Sequence, residues 1–451
     1  MNTLQRLGMR FWFIPALMCT AAFVLAHGLI ALDRSHAGAV APGWTSLVLY
    51  RVGASGSRDI LGAIASSSLA VAGTTFSITM AVLALTSSSY GPRLVRNFMT
   101  DRGNQVVLGV YVSTFLYSLL VLRSIRVLGD PGDLGGDVFV PHLAVNAAVV
   151  LAVGNVAVLI YFIHHISDSI QISTLARRVR TDLLDSIDRL YPAEVGHDPS
   201  HEQAGPTGDV RAGTLDGPGA PVTAGRSGYL QSVRDGALMK AAIHADVVLD
   251  LRLRPGQFVL EDTVTVTVHP AGRADDRLTA TIRSALQVAD TRSPHQDPEF
   301  SVQQLTEMAV RALSPGTNDP YTAVNALDDL SVALSRLAGR TMPSAARVDD
   351  GGTVRVVAPP VDVDELVASV LDSIRWYATG HPSVMTATLT LVRRVGAHTH
   401  SASLRRVLAL HVDLLQQAVT SGTQQPADKK RFAALADTVR DELAAVVPPP
   451  G

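Results

Sequence analysis

Four uninterrupted apolar stretches occupy the first third of the chain, at residues 11–32, 60–85, 106–122 and 138–163, and none holds an Asp, Glu, Lys or Arg. A hydrocarbon core about 30 Å thick is crossed by about 20 helical residues, and a charge at its centre costs about 2.5–3.5 kcal/mol. The pattern predicts four transmembrane helices in residues 1–165. Arg6 and Arg10 precede the first stretch and small residues follow it at 37–39, as in a secretory signal. Its 22 apolar residues exceed the roughly 7–15 of a signal core, so an uncleaved anchor is expected.

Beyond residue 165 the pattern changes. Ile166, Ile170, Leu175, Val179, Leu183, Ile187 and Leu190 recur every three to five residues, which predicts an amphipathic extension of span four over 166–191, stopped by Pro192. Residues 192–226 then carry five Pro and seven Gly in 35 positions with no aromatic, the composition of a disordered linker. Order resumes at 227 with a helix over 229–244. Alternating segments at 246–254 and 258–268 flank the turn dipeptide Pro255-Gly256 and read as strands. Helices are expected at 275–288, 300–313 and 320–337, a short strand at 354–358, then helices at 362–378, 381–396, 402–421 and 427–447. The fold class is therefore an α-helical membrane protein: four transmembrane helices, a cytoplasmic α+β domain over 227–340, and a C-terminal helical bundle over 341–451.

Charge supports the division. Of 451 residues only 17% are charged, against about a quarter in average soluble domains. The formal charge of −2 argues against a nucleic-acid partner. Residues 1–165 hold ten Arg, six Asp, no Lys and no Glu, a net +4, which leaves −6 for the rest. Arg6, Arg10, Arg93, Arg96, Arg102, Arg177, Arg178 and Arg180 fall on one side of the predicted spans, and Arg34, Arg51, Arg58, Arg123 and Arg126 on the other. This bias places both termini in the cytoplasm of a cell whose scarcity of lysine points to a high-GC bacterium, hence a multi-pass inner-membrane location. The single cysteine, Cys19, excludes an intrachain disulfide framework and a cysteine zinc site.

The second span carries two readable stripes. Ala70, Gly73, Ser77 and Ala81 form a ridge of small residues suited to close helix packing. Beside it, Ser68, Thr75 and Thr79 form a hydroxyl stripe. Such hydroxyls serve helix packing or bond their own helix carbonyls, or else line a polar pathway. Asn146 and Asn155 in the fourth span are open to the same two readings. With no carboxylate in the spans, a proton-coupled carrier is disfavoured relative to a passive pore. Between spans two and three, Tyr90-Gly91-Pro92-Arg93-Leu94-Val95-Arg96-Asn97-Phe98-Met99 has the pattern of a short interfacial helix, or of one whose apolar face docks on the cytoplasmic domain.

Beyond the membrane spans a single polar constellation stands out: Arg292, His295 and Asp297, followed by Arg311, Asn318 and Asp319. As structure, it is a helix–turn–helix joint, with Gly316 in a left-handed turn and Asn318 or Asp319 capping a helix that starts at Pro320. As function, free N–H groups at that helix start, with Arg292 and Arg311, bind an anionic ligand. His295, Asp297 and Glu299 lack any fixed metal-ligand spacing. No GxGxxG, GxxxxGK[ST] or GxSxG motif occurs, so no enzyme activity, cofactor or metal is expected.

The run Phe76-Ser77-Ile78-Thr79-Met80-Ala81-Val82-Leu83-Ala84-Leu85-Thr86-Ser87-Ser88-Ser89-Tyr90-Gly91-Pro92-Arg93 resembles the bacterial family of predicted membrane proteins named domain of unknown function 2254. So do Gly228-Tyr229-Leu230-Gln231, Arg254-Pro255-Gly256-Gln257-Phe258-Val259, and the segment from Arg311 to Ala323. The resemblance extends over nearly the whole chain and departs from the family at the Pro/Gly-rich insert and at Glu261-Asp262, where a glycine would be expected. It implies a multi-span membrane protein and no activity. Of the functions compatible with these patterns, a homo-oligomeric channel or passive transporter with a cytoplasmic gating domain ranks first. A membrane-anchored sensor or scaffold, binding a small ligand, ion or partner through its cytoplasmic joint, ranks second.

Overall fold

The computed structural model describes residues 12–35, 53–90, 101–126, 139–170, 172–191, 215, 217–340, 342–422 and 424–445. The expected interfacial helix after residue 90, the arginines at 6, 10, 51, 93 and 96, and most of the expected linker lie outside the described residues. Two compact units divide the chain, Met1–Thr174 and Leu175–Gly451.

The first unit contains four helices long and apolar enough to cross a membrane: α1 (Phe13–Ser35), α2 (Ala54–Tyr90), α3 (Arg102–Ser124) and α4 (His142–Ile170). α3 is the central one, packing on α1, α2 and α4. Close approach needs glycine at two places. A Cβ on Gly103 would stand 2.6 Å from Nε2 of His165, and one on Gly109 would stand 2.6 Å from the sulfur of Met18. Asp101 caps α3 by accepting from the Gly103 N–H at 2.8 Å, and its carboxylate also meets His165 Nε2 at 3.2 Å. At the opposite end of the bundle, the Asp33 carboxylate accepts from the Leu143 and Ala144 N–H groups, so a residue of α1 satisfies the open start of α4. The outer face of α4 exposes Val150, Val153, Val156, Ile160 and Ile163, as a lipid-facing surface must.

The face of α2 turned into the bundle carries Leu61, Ile64, Ala65, Ser68, Ala72, Thr75, Thr79 and Val82. The expected packing ridge of Ala70, Gly73, Ser77 and Ala81 is instead exposed in the single chain, and nothing approaches within 4 Å of a Cβ placed on Gly73. The physical reason is competition between faces. Burying the neighbouring face pairs Ser68 with a polar group of α4 and seats Leu61 and Ile64 in the apolar core.

The second unit begins on α5 (Ile172–Leu190), whose buried residues Ala176, Val179, Leu183 and Ile187 follow the predicted stripe. Strands follow as β1 (Ala220–Thr223) and β2 (Gly228–Val233), then α6 (Asp235–Ala245) and β3 (Val248–Leu251). After these come β4 (Phe258–Val259), β5 (Val264–His269), α7 (Asp276–Ala285) and β6 (Leu286–Ala289). The rest comprises α8 (Pro298–Ala312), α9 (Pro320–Ala338), β7 (Ala346–Val348), β8 (Val354–Val357), α10 (Val363–Ala378), α11 (Pro382–His398), α12 (Ala402–Ser421) and α13 (Pro426–Ala444). A five-stranded sheet runs β1-β5-β3-β8-β7 and a three-stranded sheet runs β4-β2-β6. In the first sheet Val248 pairs with His269 and Leu251 with Val266, antiparallel, while β3 and β8 run parallel.

Several expectations are corrected here. The segment expected as one helix over 229–244 is β2 followed by α6, and that over 275–288 is α7 followed by β6, because β2 and β6 pair with each other. The strand expected over 258–268 breaks at Glu261-Asp262. There the Thr263 N–H donates to the Leu260 carbonyl, sending β4 to one sheet and β5 to the other. β1 lies inside the segment expected as linker and pairs with β5. β7 and β8 come from beyond residue 340 yet complete the five-stranded sheet, so that sheet crosses the boundary expected between the two soluble domains.

Candidate functional site

The turn Arg254-Pro255-Gly256-Gln257 is held on β2, where the Gly256 N–H donates to the Leu230 carbonyl at 2.7 Å and the Leu230 N–H to the Gln257 carbonyl at 3.0 Å. Gly256 has φ +97°, and a Cβ there would collide with the Asp297 carboxylate. The hairpin turn and the start of α8 therefore fit together only with glycine at this position. Asp297 is 1% exposed. Its carboxylate takes two hydrogen bonds from Arg292, at 2.7 and 2.8 Å, and caps α8 by accepting from the Phe300 N–H at 3.0 Å. Arg292 also donates to Gln303 and lies over the Phe300 ring.

These pieces form a section of the wall of a cavity of about 410 Å³, a size typical of small-ligand sites. Its apolar lining includes Leu190, Val233, Leu238, Met239, Leu251 and Val356. A few polar groups join this lining. Arg254 donates through Nη1 to the Pro360 carbonyl at 2.8 Å, and its Nη2 stands 3.5 Å from Oε1 of Glu299. Burial holds the Glu299 carboxyl above the ordinary glutamate range, with Arg254 pulling the other way. Tyr191, at the end of α5, has its phenol pushed up to about 12 by burial and then by the Glu299 charge. Arg347 enters the lining from β7 and is held by the Ser344 and Ala346 carbonyls.

The expected cytoplasmic joint is not one site. Arg292 and Asp297 stand at the N-terminus of α8, whereas Arg311, Asn318 and Asp319 stand at or past its C-terminus. The helix between has 15 residues, about 22 Å at 1.5 Å per residue. Arg311 is tied to Glu307 on its own helix, at 2.8 and 3.0 Å. Asn318, not Gly316, takes the left-handed conformation, with φ 45°, and Asp319 caps α9 by accepting from the Thr322 N–H and hydroxyl. The His295 ring is exposed, and its carbonyl accepts from Arg189 at 2.6 Å. Among the described residues no three His, Cys, Asp or Glu side chains gather as a metal site. Sequence reasoning missed the cavity, although Arg254 and Pro255 of the Arg254–Gln257 motif and Asp297 of the Arg292–Asp297 motif line it. The signal available was that both motifs combine an arginine with a turn.

In the first unit the three hydroxyl residues are buried among helices. Thr75 donates to the Ala72 carbonyl at 2.9 Å and Thr79 to the Thr75 carbonyl at 2.8 Å. Asn155 joins three helices, donating through Nδ2 to the Ser68 hydroxyl and accepting at Oδ1 from Thr114 and at its carbonyl from Tyr111.

Four apolar helices preceding a mixed α/β unit agree with the family that the chain matches. The family model described as predicted membrane protein DUF2254 matches residues 9–394. The chain belongs to the DUF2254 family. Two uncharacterized relatives, one from Mycobacterium bovis and one from Mycobacterium tuberculosis, are each 30% identical to this DUF2254 protein over 404 residues. Each alignment covers 87% of this chain and 74% of the relative. No solved structure matches it.

Proposed function

We propose that this DUF2254 protein is a membrane-anchored sensor whose soluble unit binds a small, largely apolar ligand in the cavity beside Arg254 and Glu299. The carrying observation is the cavity itself: it combines about 410 Å³, a largely apolar lining and a few charged groups. It replaces the Asn318 joint as the binding place in this reading, because the joint's charges are spent on local caps and pairs. Leu190 and Tyr191 line the cavity at the end of α5, a helix that begins two residues after the last residue of α4. A ligand that orders this wall therefore acts on the segment leading directly to span four. The termini and soluble unit face the cytoplasm in this reading, as the arginine bias directs.

The test uses the full chain in lipid nanodiscs and a panel of small apolar metabolites, with the melting temperature as readout. A ligand at about 100 times its Kd stabilises by about 2.7 kcal/mol, and Met239→Trp, which fills the cavity, removes the shift. A panel that shifts nothing sinks the sensor reading.

A second reading, self-association in the bilayer, has its own support in the outward ridge of Ala70, Gly73, Ser77 and Ala81, a surface on which a second copy could pack closely. A homo-oligomeric channel is a version of this reading. Its support is the ridge rather than Ser68, Thr75 and Thr79, whose hydroxyls are engaged within the bundle.

A further inference from the structure

The chemistry around the cavity narrows the ligand of the sensor reading, and the assignment of that ligand rests on the cavity being a binding site. Five charged side chains line the space: Asp235, Arg254, Asp297, Glu299 and Arg347. Asp297 is neutralised by its two hydrogen bonds from Arg292. Asp235 accepts from the adjacent Gly236 N–H. Glu299 is drawn to Arg254, with its Oε1 3.5 Å from Nη2. Two helices, α6 and α8, start at the cavity, and Asp235, Gly236, Pro298 and Glu299 of their first turns line it. Each helix start adds a partial positive charge. Arg254 and Arg347 are the two cations of the lining.

Arg254 is the cation placed to receive an anionic head group. One of its nitrogens is fixed by the Pro360 carbonyl, another meets Glu299 only at 3.5 Å, and among the described residues its Nε has no partner. A guanidinium with open donors presents the fork that suits a carboxylate. The same lining offers hydrocarbon: Leu190, Val233, Leu238, Met239, Leu251 and Val356. We propose that the cavity takes a monoanionic amphiphile of the medium-chain carboxylic acid class, its carboxylate seated on Arg254 in place of Glu299 and its chain along the apolar lining. Glu299 then acts as a built-in competitor that occupies Arg254 when the ligand is absent.

Photolabelling of the full chain in nanodiscs tests this without confusion from lipid partitioning, because the labelled peptide reports the position. The probes are a diazirine-bearing octanoic acid, the matching alcohol and the matching amine. The acid is expected to label peptides containing residues 233–239, 251–255 and 356–361 at least about tenfold more than the alcohol or the amine, a difference of about 1.4 kcal/mol. Arg254→Gln removes that preference and Arg254→Lys keeps some of it. Glu299→Gln preserves or strengthens acid labelling, since a competitor has been removed. Equal labelling of the cavity by acid and alcohol overturns the carboxylate assignment and leaves the sensor reading standing. Loss of acid labelling in Glu299→Gln overturns the competitor role and, with it, the proposal. No labelling of these peptides by any probe defeats the proposal and the cavity reading together.

Discussion

At the scale of single residues, the contact between Gly256 and Asp297 is an exacting one in the second unit. Gly256→Ala places a Cβ in a left-handed backbone and against a buried carboxylate. A loss of about 1–3 kcal/mol in denaturant unfolding is expected. Asp297→Asn leaves the Arg292 guanidinium without its counter-charge, at a cost of about 3 kcal/mol. Adding Arg292→Gln recovers some of that loss, which a double-mutant cycle measures. Glu299 supplies a pH dependence of known sign. Its carboxyl binds a proton more tightly in the folded protein than in the unfolded chain, so stability falls as pH rises from the ordinary glutamate value to the raised one. Glu299→Gln should flatten that fall, with wild type and variant converging below about pH 4 in melting experiments. Asp319 has the opposite sign. Hydrogen bonds from Thr322 hold its carboxyl low, so its capping contribution is present at neutral pH and disappears on acidification. Asp319→Ala costs about 1 kcal/mol at neutral pH.

At the scale of elements, the bundle is held by a few polar contacts rather than by charge. Asn155 joins α2, α3 and α4 through Ser68, Thr114 and Tyr111. Its side chain accounts for two of these links. Asn155→Leu should destabilise the bundle by about 1–2 kcal/mol in detergent-titrated unfolding, the upper range for hydrogen bonds between membrane helices. Thr75→Val and Thr79→Val should change it little, because each hydroxyl bonds only a carbonyl of its own helix. Strand pairing in the soluble unit shows a different rule. Segments 229–233 and 286–289 carry no helix-breaking residue, and local periodicity extends the neighbouring helices through them. Their β conformation comes from the partner strand, with Tyr229 opposite Ala289 and Val233 opposite Leu286.

At the scale of the whole molecule, self-association in the bilayer has a single-residue test. Among the described residues nothing lies within 4 Å of a Cβ at position 73, so Gly73→Ile should leave the melting temperature of the monomer little changed. Subunit counting by single-molecule photobleaching in liposomes should show smaller assemblies than wild type. Equal assembly sizes would remove the ridge as a contact surface.

The amino-acid sequence by itself determined the membrane region. Four charge-free stretches of sufficient length leave the backbone no satisfactory state but helix in lipid, and the amphipathic stripe of α5 was equally readable. Family membership followed from motifs each of which is a contiguous run of the chain. The candidate cavity needed the tertiary structure, because its walls come from residues 190, 254, 299 and 356, far apart in sequence and joined only by packing. The same holds for the face that α2 buries. Small residues and hydroxyls lie side by side on that helix, and only the partners offered by α3 and α4 decide which of them turns inward.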